Sequence, residues 1–179
     1  MQNKGYIHIY TGNGKGKSTA AFGLAVRALC AGKNVFIGQF VKSMKYSETR
    51  IEQLFTGKEE GFGTLQIEQL GRGCFIDRNP ARIDIEMAEK GLDRCFEQID
   101  SGRWDVVILD ELTIATYFHL LKTEDIVRRL EKRNPAVEIV ITGRYAPQEL
   151  IDIADLVTEM KEIRHYYQKG VLSREGIDR

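Results

Sequence analysis

Residues 11–19 read Thr11-Gly12-Asn13-Gly14-Lys15-Gly16-Lys17-Ser18-Thr19, set between an apolar run and an Ala-rich stretch. Glycines at this spacing let backbone N–H groups approach phosphate oxygens without Cβ clashes, and a helix starting there aims its N-terminus at the anion. In such a loop Lys17 bridges phosphate oxygens and the Ser18 hydroxyl ligates Mg²⁺. The strict pattern G-x-x-x-x-G-K-[ST] would put glycine at position 11, where this chain has Thr11. The spacing therefore describes a modified phosphate loop; a bare glycine turn would not require Gly-Lys-Ser-Thr between strand and helix.

A phosphate site also needs an acid at the end of a buried strand. Val106-Val107-Ile108-Leu109 is continuously apolar and ends in Asp110-Glu111. Asp110 would end the strand near the metal, and Glu111 follows it directly. In ATPases with this pairing the Glu polarises an attacking water; the plainer alternative is a charged strand end capping the next helix. Ile141-Thr142-Gly143-Arg144 ends a second apolar run. Arg144 can reach a phosphate or the substrate, or be a surface arginine. Arg27, about two to three turns into the helix after the loop, is a ligand if it faces the site and a solvated charge otherwise. These motifs together define a P-loop protein using Mg-ATP, and a kinase, a hydrolase and a motor domain all satisfy them.

The elements that must position these residues alternate. Strands are predicted over residues 6–10, 35–41, 64–70, 104–110, 137–142 and 156–160. Helical signals cover 18–31, stopping at Gly32, and 88–99, where Ala88, Leu92, Cys95, Phe96 and Ile99 repeat at helical spacing. A third helix follows Thr123 as its cap, and Pro147 suits the first turn of a fourth. Residues 42–63 are polar and read as a long loop or a short exposed helix. The expected fold is α/β and P-loop NTPase-like, in its RecA-like form: a mostly parallel sheet of about six strands with helices on both faces. The unusual segments 11–18, 39–45, 71–80, 111–113 and 143–144 all follow strands, so they gather at the carboxyl edge, where open α/β sheets bind ligands.

Composition narrows the classes further. The chain has 179 residues, 42% hydrophobic and 29% charged, which suits one domain over residues 1–179 with no linker or repeat. Lys plus Arg and Asp plus Glu are 26 each. That balance argues against a general nucleic-acid or membrane-surface binder. The charge is nevertheless uneven: residues 1–47 hold no acid, yet carry Lys4, Lys15, Lys17, Arg27, Lys33, Lys42 and Lys45. Such asymmetry is consistent with an anion site there or with a surface that mixes in three dimensions. Cys30, Cys74 and Cys95, like His8, His119 and His165, are too scattered for a metal cluster or a disulfide framework. Without a signal peptide or an apolar run long enough to span a membrane, the expected location is the cytoplasm.

Residues 11–23, Gly38-Gln39-Phe40-Val41-Lys42, Leu109-Asp110-Glu111-Leu112-Thr113, Ile141-Thr142-Gly143-Arg144 and the ending from His165 to Asp178 resemble the motifs of CobA/BtuR-type ATP:corrinoid adenosyltransferases. The likeness runs over nearly the whole chain in order, and the T-G-N-G-K-G-K variant accounts for the absent first glycine. It implies transfer of the 5′-deoxyadenosyl group of ATP to the cobalt of a reduced corrinoid, with release of triphosphate. It also implies ATP lying reversed in the loop, so that the leaving triphosphate stays in the cradle. Lys17 and the amides from Gly12 to Gly16 would then hold the triphosphate, joined by Lys15 and Thr19. Ser18 and Glu111 would ligate Mg²⁺ with Asp110 supporting them, Asn13 would contact the ribose, and Arg27 and Arg144 become site residues. Further implications are a homodimer, an electron donor such as a reduced flavoprotein, and a tail, 161–179, that packs near the active site.

The chain departs from the family at two places. The loop after the third strand reads Gly71-Arg72-Gly73-Cys74-Phe75-Ile76-Asp77, with Phe75 its one aromatic and one position out of register. Cys74, Phe75 and Ile76 are the corrinoid-side candidates, and the shift implies a changed way of stabilising four-coordinate cobalt or a different corrinoid preference. Only Met1 to Gly5 precede the first strand, so the N-terminal cover of longer members is expected from elsewhere, such as a partner subunit, or is missing. A RecA-like ATPase or switch that hydrolyses ATP to move a partner is the competing reading, and a nucleotide module with lost chemistry is the third.

Overall fold

Among the described residues, six strands form one sheet: β1 (Ile7–Thr11), β2 (Val35–Gln39), β3 (Leu65–Gln69), β4 (Val106–Asp110), β5 (Glu138–Thr142) and β6 (Leu156–Glu159). Their order is β3-β2-β4-β5-β1-β6, and every pairing is parallel. The computed structural model describes residues 4–41, 46–58, 60–71 and 80–178. This is the expected α/β, P-loop type of fold.

The pleat divides the apolar residues between two layers. On one face Val106, Ile108, Ile37 and Val140 pack against Ala21, Phe22, Ala25 and Leu29 of α1 (Lys17–Cys30). On the other, Val107, Leu109, Ile139 and Ile141 meet the helices α2 (Arg82–Asp100), α3 (Leu112–Tyr117), α4 (Thr123–Lys132) and α5 (Gln148–Ile153). Each large aliphatic side chain buried this way stabilises the fold by about 1.5–3 kcal/mol. A strand apolar at consecutive positions is needed because both of its faces are covered. The edge strand β6 is exposed at all four positions.

Several boundaries differ from those predicted. β2 stops at Gln39 and does not reach Val41, although the Phe40 N–H still donates to the Asp110 carbonyl just past its end. Trp104 precedes β4; its indole N–H donates to Gln98 Oε1 at 2.9 Å and its ring packs on Phe36. Lys122, not Thr123, is the N-cap of α4, and no side chain caps it. Residues 112–113, read as loop, open α3, which is too short for its periodicity to show. Gly32 does end α1, with φ 78° and its N–H on the Leu29 carbonyl. Ser47–Leu54 forms a 3-10 helix within the polar stretch after β2. No helix of the described residues is long and apolar enough to cross a membrane.

Candidate active site

The carboxyl edge is assembled by register. Gln39 of β2 lies opposite Asp110 of β4, and Leu109 lies opposite Ile141, so Asp110 and Thr142 follow side by side. Because β5 separates β1 from β4, the phosphate loop and Glu111 approach from either side of the β5 exit, which carries Arg144. A cleft of about 730 Å³ opens there, lined by Lys17, Ser18, Glu111 and Arg144 together with the tail residues His165 and Tyr166.

The phosphate loop turns on two left-handed glycines, Gly12 (φ 98°) and Gly16 (φ 115°), the latter being the N-cap of α1. No side chain caps α1 and no acid stands in its first turn, so its leading N–H groups and the positive end of its dipole face the cleft. Thr11 needs no left-handed backbone: it ends β1, its carbonyl accepts from Met160 N–H, and its hydroxyl accepts from Ala146 N–H. This is why the modified motif tolerates threonine. Gly14 answers a different demand, since a Cβ there would lie 2.7 Å from the Met160 carbonyl oxygen that its N–H contacts.

Lys17 donates from Nζ to the Gly12 and Gly14 carbonyls at 2.9 and 2.7 Å. Burial holds its pKa below the usual lysine value, Arg144 lowers it further, and Glu111 opposes both. Lys17 and Arg144 repel each other here, and an added anion between them would relieve that repulsion. Glu111 sits in the left-handed region at φ 62° as N-cap of α3, a conformation costing a non-glycine residue about 1–2 kcal/mol. Such strain persists only where the surroundings impose it. A second hydroxyl, Thr113 Oγ1, donates to the Arg144 carbonyl at 2.7 Å, and Gly143 leaves room for it: a Cβ there would lie 2.3 Å from that oxygen.

Not every expected residue reaches the cleft. Asp110 is fully buried away from its wall, with its carboxylate accepting from Gln39 Nε2 at 3.0 Å and from the Thr142 hydroxyl at 2.7 Å. Arg27 does not line the cleft; ten residues beyond Lys17 at about 1.5 Å each, it lies roughly 15 Å down the helix, with its charge acting on Tyr10. Thr11, Gly12 and Asn13 shape the loop without lining the cleft, whereas Gly14, Gly16 and Thr19 do line it. Lys42, Lys45, Cys74, Phe75 and Ile76 lie outside the described residues. Phe22, Ile114 and Ser47 line the cleft without having been singled out. The first two stand four residues after Ser18 and three after Glu111, a helical spacing that places them on the same face.

Lys15, expected on the triphosphate, is directed to the chain's end. Its ammonium donates to the Ile177 carbonyl at 2.6 Å, to Asp178 Oδ1 at 2.5 Å and to the Tyr166 hydroxyl at 3.0 Å. Tyr166 and Arg174 also donate to Asp178. Lys15, then Tyr166 and Arg174, hold the Asp178 carboxyl well below its usual range. A depressed carboxylate stabilises docking above its ordinary pKa and loses that contribution as pH falls through the depressed value. Asp178→Asn is accordingly expected to speed hydrogen exchange across residues 165–178 at neutral pH, as high salt would in the wild-type chain. Exchange unchanged by either would contradict a clasp centred on Lys15 and Asp178.

Fold and cleft define an α/β protein of the P-loop type. The family model for ATP:corrinoid adenosyltransferases BtuR/CobO/CobP matches residues 3–178. A corrinoid adenosyltransferase of Sinorhizobium sp is 36% identical over 98% of this chain and 80% of its own length. Those of Escherichia coli K12 and of Salmonella typhimurium LT2, the latter called CobA, are each 31% identical over 99% of this chain and 87% of theirs. The chain belongs to the CobA/CobO/BtuR family of ATP:corrinoid adenosyltransferases.

Proposed function

We propose that this chain transfers the 5′-deoxyadenosyl group of ATP to the cobalt of reduced cobalamin or a cobalamin precursor and releases triphosphate. The convergence of Lys17, Ser18, Glu111 and Arg144 on one cleft carries this reading. Cobalt(I) supplies the nucleophile: the Co–C5′ bond forms as the C5′–O bond breaks, cobalt becomes formally cobalt(III), and triphosphate leaves with the bonding electron pair. The protein needs no general base for that step. Its contribution is alignment of C5′ and stabilisation of charge growing on the leaving oxygens. Lys17, Arg144 and the α1 N-terminus are the groups that supply it.

The donor set suits Mg²⁺. A hydroxyl and a carboxylate, Ser18 and Glu111, line the same cleft, and magnesium is commonly held by one or two carboxylates plus substrate phosphates. Bound there, it would neutralise phosphate charge. The same reading includes a single P-loop domain whose tail stays near the site, a homodimer, a cytoplasmic location and a reduced flavoprotein as electron donor.

The test is a product assay with Mg-ATP and cob(I)alamin under strong reductant. Adenosylcobalamin, identified by its spectrum, should appear with equimolar triphosphate. ADP and phosphate with no cobalt–carbon bond would overturn the reading and favour the hydrolytic alternative. Within the proposal, Cys74, Phe75 and Ile76 form the corrinoid side. Phe75→Ala should impair the cobalamin step and leave ATP affinity nearly unchanged; a large loss of ATP binding in calorimetry would remove Phe75 from that role.

A further inference from the structure

We propose that Thr142 is a positioning residue for Glu111, acting from the neighbouring strand through both functions of its hydroxyl. Thr142 Oγ1 donates to Asp110 Oδ1 at 2.7 Å and accepts from the Glu111 backbone N–H at 2.9 Å. A hydroxyl has one proton to give and lone pairs to receive, so a single oxygen joins the buried acid to the residue that follows it. Gln39 Nε2 holds the second oxygen of Asp110 at 3.0 Å. Gln39, Asp110 and Thr142 are each fully buried, which leaves this row little freedom to move.

The consequence falls on Glu111. Its backbone is left-handed, and its carbonyl accepts from Ile114 N–H at 3.1 Å as α3 begins. The Thr142 hydroxyl secures the N–H on the other side of the same residue. With both ends of the peptide fixed, the Glu111 side chain leaves the backbone in one direction, toward the cleft that it lines. Asp110 thereby acts as the anchor of the row, orienting a hydroxyl that orients Glu111. Partners that fix a metal ligand's orientation commonly change metal affinity or activity about 10- to 100-fold when removed.

The inference rests on the proposed reading of Glu111 as a metal ligand, and its test separates the two. Mn²⁺ affinity in the presence of ATP is measured by electron paramagnetic resonance for the wild type, Thr142→Val, Thr142→Ser and Glu111→Gln, with thermal melts alongside. Thr142→Val keeps the shape and loses the hydroxyl; it should bind Mn²⁺ about tenfold or more weakly, with kcat reduced and KM for ATP little changed. Thr142→Ser keeps the hydroxyl and should restore near wild-type affinity. If the valine variant folds poorly, Thr142→Ser and Thr142→Ala make the same comparison, since they leave similar cavities and differ by the oxygen. Equal Mn²⁺ affinity with and without the hydroxyl, while Glu111→Gln is impaired, would overturn the role of Thr142 alone. Wild-type affinity in Glu111→Gln would overturn the metal-ligand reading and the proposal with it.

Discussion

Lys17→Ala is expected to abolish ATP binding measurable by calorimetry. Its ammonium is half-buried and held by the Gly12 and Gly14 carbonyls, pointed along the inside of the loop. Burial and Arg144 already disfavour its charge, so a bound polyanion gains a strong, poorly hydrated partner. Removing one member of such a charge-assisted pair costs about 2–5 kcal/mol. At about 1.4 kcal/mol per factor of ten, this is roughly one and a half to three and a half orders of magnitude in affinity. The alanine variant also loses two bonds that close the loop. Lys17→Arg should recover little, because a planar guanidinium does not replace a compact ammonium. ATP affinity within a few-fold of wild type would show that Lys17 is not on the triphosphate.

Glu111→Gln is expected to lower the rate of adenosyl transfer about 100- to 1000-fold. The substitution keeps size and backbone, so the left-handed turn into α3 survives. What it removes is a charged oxygen ligand and the carboxylate that supports the Lys17 ammonium. Glu111 raises the Lys17 pKa, so its loss leaves that pKa lower still. Metal-free ATP affinity should hold, while magnesium should no longer strengthen binding or raise the rate. Titrations with and without magnesium, beside single-turnover transfer, check both parts. A variant still fully responsive to magnesium would contradict the assignment.

The chemistry-bearing positions were unevenly legible along the chain. Glycine at positions 12 and 16 announces left-handed turns because few other residues adopt them, and both occur. The run before Asp110 announces a strand covered on both faces, and Val106–Leu109 are all buried. Adjacency to Glu111 does not tell which carboxylate lines the cleft and which faces the next strand, and Asp110 is the one that turns to Gln39 and Thr142. The side chains of successive strand residues point to opposite faces, and the break into α3 reorients Glu111. Arg27 stands outside the cleft for a simpler reason, its distance along the helix axis. Lys15 has the right charge at the right place, but its partner lies 163 positions away at Asp178.

The sequence by itself determined the acid-free opening, the glycine spacing of the phosphate loop and the alternation of strands and helices, because these depend on local sterics and short-range periodicity. Tertiary structure decided which charges converge. Parallel register set Gln39, Asp110 and Thr142 in one row, and insertion of β5 between β1 and β4 brought Arg144 between Lys17 and Glu111. Chain folding also drew the tail onto Lys15, dividing the basic opening between the cleft and the chain's own end. Pairings between residues far apart in sequence depend on how packed layers align strands, and no local pattern carries that alignment.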